Sequence, residues 1–305
     1  MKLPIRRAVL DVSVAVRMQA RAGLGLAIPA ATLLFLLLFL PSALVLALSL
    51  SNYEFGLPDF NFVGLANYKE MLSDPRFRVS IANTGFYIAI VAPVSVGLAL
   101  WLSVIIEGQG RLRGLYRTVF FLPVTATLVA LATAWEVLLH PAFGLVNNLL
   151  ASGGAEKIRF LSDPATALPT LAFIGIWKQL GYNVLMFTAG LSTIRPDLYE
   201  AAAIDGADRG WRKFFLVTLP MLGPVLVFVS VITLIRAFSE FETVAVLTDG
   251  GPDGATRMVL FTLYEEAFRF FKVGLASAIA VTFLSFVATV SFVQARLLDK
   301  RVHYV

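Results

Sequence analysis

The chain has 305 residues, of which 58% are hydrophobic and 15% charged, with a net charge of +5 and no cysteine. So little polar surface cannot cover a soluble globule of this size, and the apolar residues fall in long runs, which makes the chain an integral membrane protein. Disulfide and thiolate chemistry are excluded, and the positive charge is read as membrane topology rather than as a nucleic-acid surface.

In chain order, residues 1–23 form a basic tail with Lys2, Arg6, Arg7, Arg17 and Arg21. The apolar run behind it is too long for a cleavable signal peptide and is expected to stay as an anchor. Residues 24–305 are read as one six-helix transmembrane domain with no internal repeat. The predicted spans are 24–50, 83–106, 118–139, 168–192, 220–243 and 273–295, each long enough to cross roughly 30 Å of hydrocarbon at about 1.5 Å per residue. Pro123 is positioned to kink the third. The side holding both termini and the 107–117 and 193–219 loops carries 15 Lys and Arg against 8 on the other, so both termini are expected in the cytoplasm.

Between the fourth and fifth spans lies EAAAIDGADRGWRKFFLVTLP, Glu200 to Pro220. Pro196 suits a first helical position, Asp197 and Glu200 are expected in a first turn that favours anions, and Ala201 to Ala203 are strong helix formers with a smooth face. Gly206 is expected to end that helix at positive φ, and Asp208 to cap a second one carrying Trp211, Phe214 and Phe215 before Pro220. The product is a polar helix-turn-helix protruding from the bilayer.

This order of Glu-Ala-Ala, a Gly after three intervening residues and a final Leu-Pro resembles the coupling loop of permease subunits in binding-protein-dependent ABC importers. Here Ala207 to Leu216 put one residue more between Gly206 and Val217 than the family pattern has; the extra one falls beside Gly210. FVGLANYKEMLSDPRF (62–77), RTVFFLP (117–123), WEVLLHPAFGLVNNLL (135–150) and LTDGGP (247–252) resemble further stretches of permeases importing carbohydrates and sn-glycerol 3-phosphate. The resemblance implies an all-α type I ABC importer permease fold in the bacterial inner membrane. It implies as partners a second homologous permease, two ATP-binding subunits and an extracytoplasmic solute-binding protein. Contact with the ATPases would fall on Glu200, Ala201, Ala202, Asp205, Gly206 and Ala207.

Polar side chains within spans mark candidate solute contacts, because hydrocarbon tolerates them only against protein or a wet cavity. In the fourth span Lys178 and Tyr182 are four apart, as are Gln179 and Asn183; in the fifth, Arg236, Ser239 and Glu240 share a helix face. The alternative for Arg236 and Glu240 is a self-neutralising pair one turn apart, and for Lys178 a carbonyl contact or snorkelling. No phosphate-binding Gly-x-x-x-x-Gly-Lys-Ser/Thr loop occurs, so ATP is expected to be used by partner subunits and no cofactor is expected on this chain. His140 and His303 fall on opposite sides of the membrane and form no metal site; no catalytic constellation is apparent. An ion-coupled secondary transporter is the first alternative and an integral membrane enzyme the second. The missing repeat weighs against the former and the missing convergent catalytic groups against the latter.

Overall fold

The computed structural model describes residues 23, 25–58, 60–207 and 210–299. Among these residues the regular structure is helical, joined by loops and turns, with one isolated bridge between Ser51 and Phe62. Helix α1, Gly25–Leu48, contains a π-helical turn at Phe35–Phe39 and has none of its apolar window buried within the chain. A short α2, Ala66–Ser73, lies across the entrance to α3, Pro75–Glu107. The expected third span is α4, Arg113–Thr125, plus α5, Leu128–Leu138, and α6 is Leu145–Ser152. Then come α7, Pro164–Ser192, the hairpin helices α8, Pro196–Ile204, and α9, Gly210–Lys213, and the fifth span α10, Gly223–Phe238. Helices α11, Glu242–Leu247, α12, Val259–Tyr264, and α13, Val273–Asp299, are the last helices among the described residues.

The two longest helices start with the same device. Asp74 accepts a hydrogen bond from the Arg76 amide at 2.8 Å with Pro75 next in line, and Asp163 accepts from Ala165 at 2.8 Å with Pro164 next in line. The carboxylate satisfies an orphan amide and the proline pre-sets φ where no donor is needed. Helices α3 and α7 make the most extensive contact in the molecule, and α10 packs against both. Small residues permit it. Ser80, Thr84, Ser95, Ala99 and Ser103 run along the buried face of α3, while on α7 Gly175 faces Tyr87 of α3 and Gly190 faces Val225 of α10.

Apolar clusters fill the two ends of this three-helix core. Tyr87, Leu171, Ala237 and Phe261 belong to one; Ala99, Val184, Phe187 and Val229 to the other. Between them each helix contributes one polar residue: Asn183 lies 3.5 Å from Ser95 Oγ and accepts from Thr233 Oγ1 at 2.9 Å.

The six expected spans all have a helical counterpart, and three of them depart from a plain apolar helix. Four described helices are long and apolar enough to cross a membrane, and a fifth arises only if α4 and α5 count as one span bent by 100°. The bend follows Pro123 and falls at Ala126 and Thr127, both extended. The remaining expected span is α7, whose 29 residues suffice in length, but Lys178, Gln179 and Asn183 dilute its apolar character. It can afford them because neighbouring helices surround it. The fifth span is present and is interrupted at Ser239 to Phe241 before α11 resumes.

Candidate functional site

The break at Ser239 shapes the site. Had the helix continued, Arg236 and Glu240 would have been one turn apart, but the interruption sends them to different partners. Glu240 is 5% exposed. It accepts from Lys178 Nζ at 2.9 Å, from Tyr87 Oη at 3.3 Å, and from Thr243 through its hydroxyl at 2.6 Å and its amide at 3.3 Å. The Thr243 contacts cap the restart of α11, so the carboxylate sits at the positive end of a helix as well as beside an ammonium. A charge removed from water this thoroughly is tolerable only with such a full set of donors. The Arg236 guanidinium stacks instead on the Tyr182 ring, 3.9 Å from its centroid, and no ion pair joins Arg236 to Glu240 among the described residues.

Lys178, Gln179, Arg236, Ser239 and Glu240 line one open cavity of about 390 Å³, which Pro123, Val124 and Ala126 from the α4–α5 bend also border. Gln179 makes no side-chain hydrogen bond among the described residues, so its amide is available to an occupant. Asn183 is not brought there. It is fully buried between α3, α7 and α10 with both ends of its amide engaged, and Tyr182 stands behind Arg236 rather than as a separate wall.

Two contributors had no place in the sequence reading. Tyr87, 1% exposed on α3, reaches Glu240 from 153 positions away. Gly175 makes room for it: a Cβ there would lie 2.0 Å from Tyr87 Oη and 2.8 Å from Cζ. The only available signal was a polar hydroxyl in an apolar run together with a glycine in the facing span.

The hairpin is built by local backbone chemistry. Helix α8 ends in a left-handed Gly206 at φ 78, with Gly206 N–H donating to Ala203 O at 3.1 Å and Ala207 N–H to Ala202 O at 2.8 Å. This is the Schellman pattern of helix termination. Ala207 turns inward and is 3% exposed, whereas Glu200 and Ala201 face outward. Asp197 lies in the first turn; Glu200, expected beside it, falls one turn further on, beyond the strongest part of the helix dipole. Asp208 lies outside the described residues. Ile204, 87% exposed beside Asp205, and Trp211, 72% exposed, are apolar groups at the tip that the polar reading of the loop overlooked. Past α9, Phe214–Thr218 form a π-helical turn, which closes each bond over one residue more than an α-turn and so accommodates the extra residue of this loop. Gly210 takes φ 62 just before it.

Two further clefts flank the membrane region. One of about 560 Å³ separates the hairpin from the ends of α3 and α7 and is lined by Glu107, Arg113, Ser192, Tyr199 and Lys213. Glu107 there pairs with Arg113 and with Arg117 at 3.1 Å. The other, about 580 Å³ at the opposite end, is lined by Glu136, His140, Ser162, Thr248 and Asp249. No group of three or more metal-capable side chains occurs among the described residues.

Comparison with known proteins places this architecture. A permease of the sn-glycerol-3-phosphate transport system of Agrobacterium fabrum, UgpA, is 35% identical over 251 residues, covering 82% of this chain and 85% of the relative. The probable ABC transporter permease protein YesP of Bacillus subtilis is 33% identical over 298 residues, 96% of this chain and 95% of that one. A solved bacterial ABC transporter involved in import of the acidic polysaccharide alginate superposes with a TM-score of 0.79 over 96% of this chain and 99% of its own; at 21% identity it speaks for the fold alone. Residues 95–304 match the model of the binding-protein-dependent transport system inner membrane component. With a protruding helix-turn-helix on a bundle of membrane helices and relatives of this extent, the chain belongs to that family of ABC importer permeases.

Proposed function

We propose that this permease imports a carbohydrate or an sn-glycerol 3-phosphate-like solute across the bacterial inner membrane, with both termini in the cytoplasm. The observation that carries the reading is the cavity around Gln179. It combines a free amide, a neutralised ammonium and carboxylate pair, and a guanidinium held on an aromatic face. Such a set hydrogen-bonds hydroxyls in many orientations, as a polyhydroxylated solute requires. The names of the relatives support the solute class, and a structure of the alginate transporter in complex with its pentasaccharide-bound periplasmic protein supports a solute-binding partner.

A second permease subunit completes the pathway, and two ATP-binding subunits supply the energy. No ATP-binding or catalytic group is assigned to this chain. Glu200, Ala201, Ala202, Asp205, Gly206 and Ala207, together with Ile204, form the surface on which the ATPase closes. Its motion passes through α9 and the π turn into α10, and so to the cavity wall at Arg236.

The test is solute-stimulated ATP hydrolysis and uptake by the reconstituted importer. Gly206→Val places a β-branched residue at φ 78, a penalty of about 1–2 kcal/mol, and breaks the turn that presents α8. Both activities should collapse while Gly206→Asn, which tolerates the left-handed region, retains most of them. Normal coupling in Gly206→Val would overturn the assignment of the hairpin.

A further inference from the structure

A separate cleft opens between α3, α10 and α13 near the end of α3 that carries Arg78. It holds about 200 Å³, and its walls include Phe77, Ile81 and Gly85 of α3, Phe238 of α10, and Phe283 and Phe286 of α13. Phe238 packs on Phe283 and Phe286 of α13, with centroids 5.3 and 4.6 Å apart, so the wall is fixed rather than loosely filled. Its two hydroxyls are already engaged. Thr84 donates to Ser80 O at 2.7 Å and accepts from Val259 N at 3.0 Å, and Thr282 donates to Ala278 O at 2.8 Å. Nothing in the wall calls for water or a polar ligand, which selects an apolar occupant.

Entry is from the lipid side. Ile81 and Phe286 at the rim are both 49% exposed. Both lie on helices long and apolar enough to cross a membrane, α3 and α13, so the mouth opens on an outer face that hydrocarbon can reach. Arg78, Ile81 and Gly85 are spaced by three and four residues and therefore share one face of α3, with Arg78 one turn above the mouth. Arg78 is exposed, and its Nε donates to Leu72 O at 3.0 Å, which holds the guanidinium toward that end of the helix. A cation at headgroup level above a dry slot in the hydrocarbon matches the two halves of one molecule.

We propose that this cleft is a binding site for a membrane glycerophospholipid, with one acyl chain between Gly85 and Phe283 and the headgroup phosphate at Arg78. The site lies on a different face from the solute cavity. By tying α10 and α13 to α3, a bound chain would steady the same helix whose other end receives motion from the hairpin.

Gly85 supplies a clean test, because a Cβ added there meets nothing within 4 Å. Gly85→Leu should fill the slot without disturbing its walls, and Thr282→Leu fills it from the opposite side should the first variant fail to assemble. The complete importer is reconstituted in phosphatidylglycerol vesicles containing a small share of the same lipid with a diazirine in its acyl chain. After illumination, adducts are mapped by mass spectrometry. In the unsubstituted protein, Phe283 and its neighbours should be labelled several-fold more than Phe292, which is 60% exposed farther along the same helix. Gly85→Leu or Thr282→Leu should abolish that excess, and Arg78→Gln should reduce it. Labelling at Phe283 no greater than at Phe292, or an excess that survives both filling variants, would overturn the site. So would a cross-link from a photoreactive residue placed at Ile81 to the second permease, which would mean protein covers the cleft.

Discussion

Adding one methyl group at Gly175 is expected to damage this protein more than removing the tyrosine hydroxyl it confronts. In Gly175→Ala the new Cβ would sit 2.0 Å from Tyr87 Oη and 2.8 Å from Cζ, well inside van der Waals contact. The ring has no room to retreat, since it is 1% exposed and packed among Val91, Leu171 and Phe261. Forcing it aside costs about 1–3 kcal/mol as overpacking, and losing its bond to the Glu240 carboxylate about 1.5–3 kcal/mol more. Partial relaxation trades one term against the other, giving about 2–5 kcal/mol together. Tyr87→Phe forfeits only the hydrogen bond, about 1.5–3 kcal/mol. In the Tyr87→Phe background the nearest obstruction becomes Cζ at 2.8 Å, so the double variant should be markedly less damaged than the sum of the singles. The assay is thermal unfolding of the purified importer containing each variant, followed by its elution as an intact complex after heating. Uptake at matched expression should fall in the same order. Additive effects of the two substitutions, or a Gly175→Ala protein indistinguishable from wild type, would refute the close approach on which the argument rests.

Cysteines introduced at Ala142 or Asp253 into this cysteine-free chain should react with an impermeant thiol reagent outside intact cells, and one at Gly110 should not; the reverse pattern would invert the topology. Gln179→Ala should weaken uptake several-fold at subsaturating solute with little change in thermal stability, whereas Asn183→Ala should lower stability first, because it leaves Thr233 and Ser95 without their shared partner. The same phenotype for both would remove the distinction between cavity and core. Glu266, 2% exposed, faces Arg76 at 3.1 Å, with Lys272 also acting on it; burial nonetheless raises its carboxyl above the ordinary range. A raised folded-state value means that its contribution is present below the usual carboxylate pKa and is lost as pH rises through the shifted one. Stability measured from acidic toward neutral pH should therefore fall less in Glu266→Gln than in wild type; identical slopes would show that the side chain is not desolvated.

Much of the hairpin was legible in the sequence because its determinants are local. Pro196 at the start, the alanines, and Gly206 at the stop act through their own backbone geometry, and the helix ends where those residues require. The spans were legible where apolar runs were unbroken. The bend at Ala126 and Thr127 was not, since two threonines and an alanine are tolerated within a straight apolar helix and only Pro123 hinted at it. The candidate site was half readable. Polar residues in α7 and α10 announced themselves against hydrocarbon, but their partnerships depend on a helix interruption that no proline or glycine marks. Spacing suggested that Arg236 and Glu240 neutralise each other; Ser239 leaves the helical path and Glu240 turns to Lys178 and Tyr87 instead. Contacts of this kind join positions separated by 62 and 153 residues, beyond the reach of periodicity.

The seam between α4 and α7 sets how the cavity can change shape. A Cβ on Gly181 would fall 2.1 Å from the carbonyl oxygen of Phe120, so the two backbones touch without side chains between them. Three residues beyond that contact comes Pro123, then the elbow whose residues wall the cavity. A seam this tight resists sliding, because any displaced ridge would collide, and beyond the elbow Trp135 of α5 rests on Phe173 and Trp177 of α7 with ring centroids 5.9 and 5.4 Å apart. During solute passage α4 is therefore expected to stay fixed against α7, so that the wall at Pro123, Val124 and Ala126 is the steady side of the cavity and the wall at Arg236 the moving one.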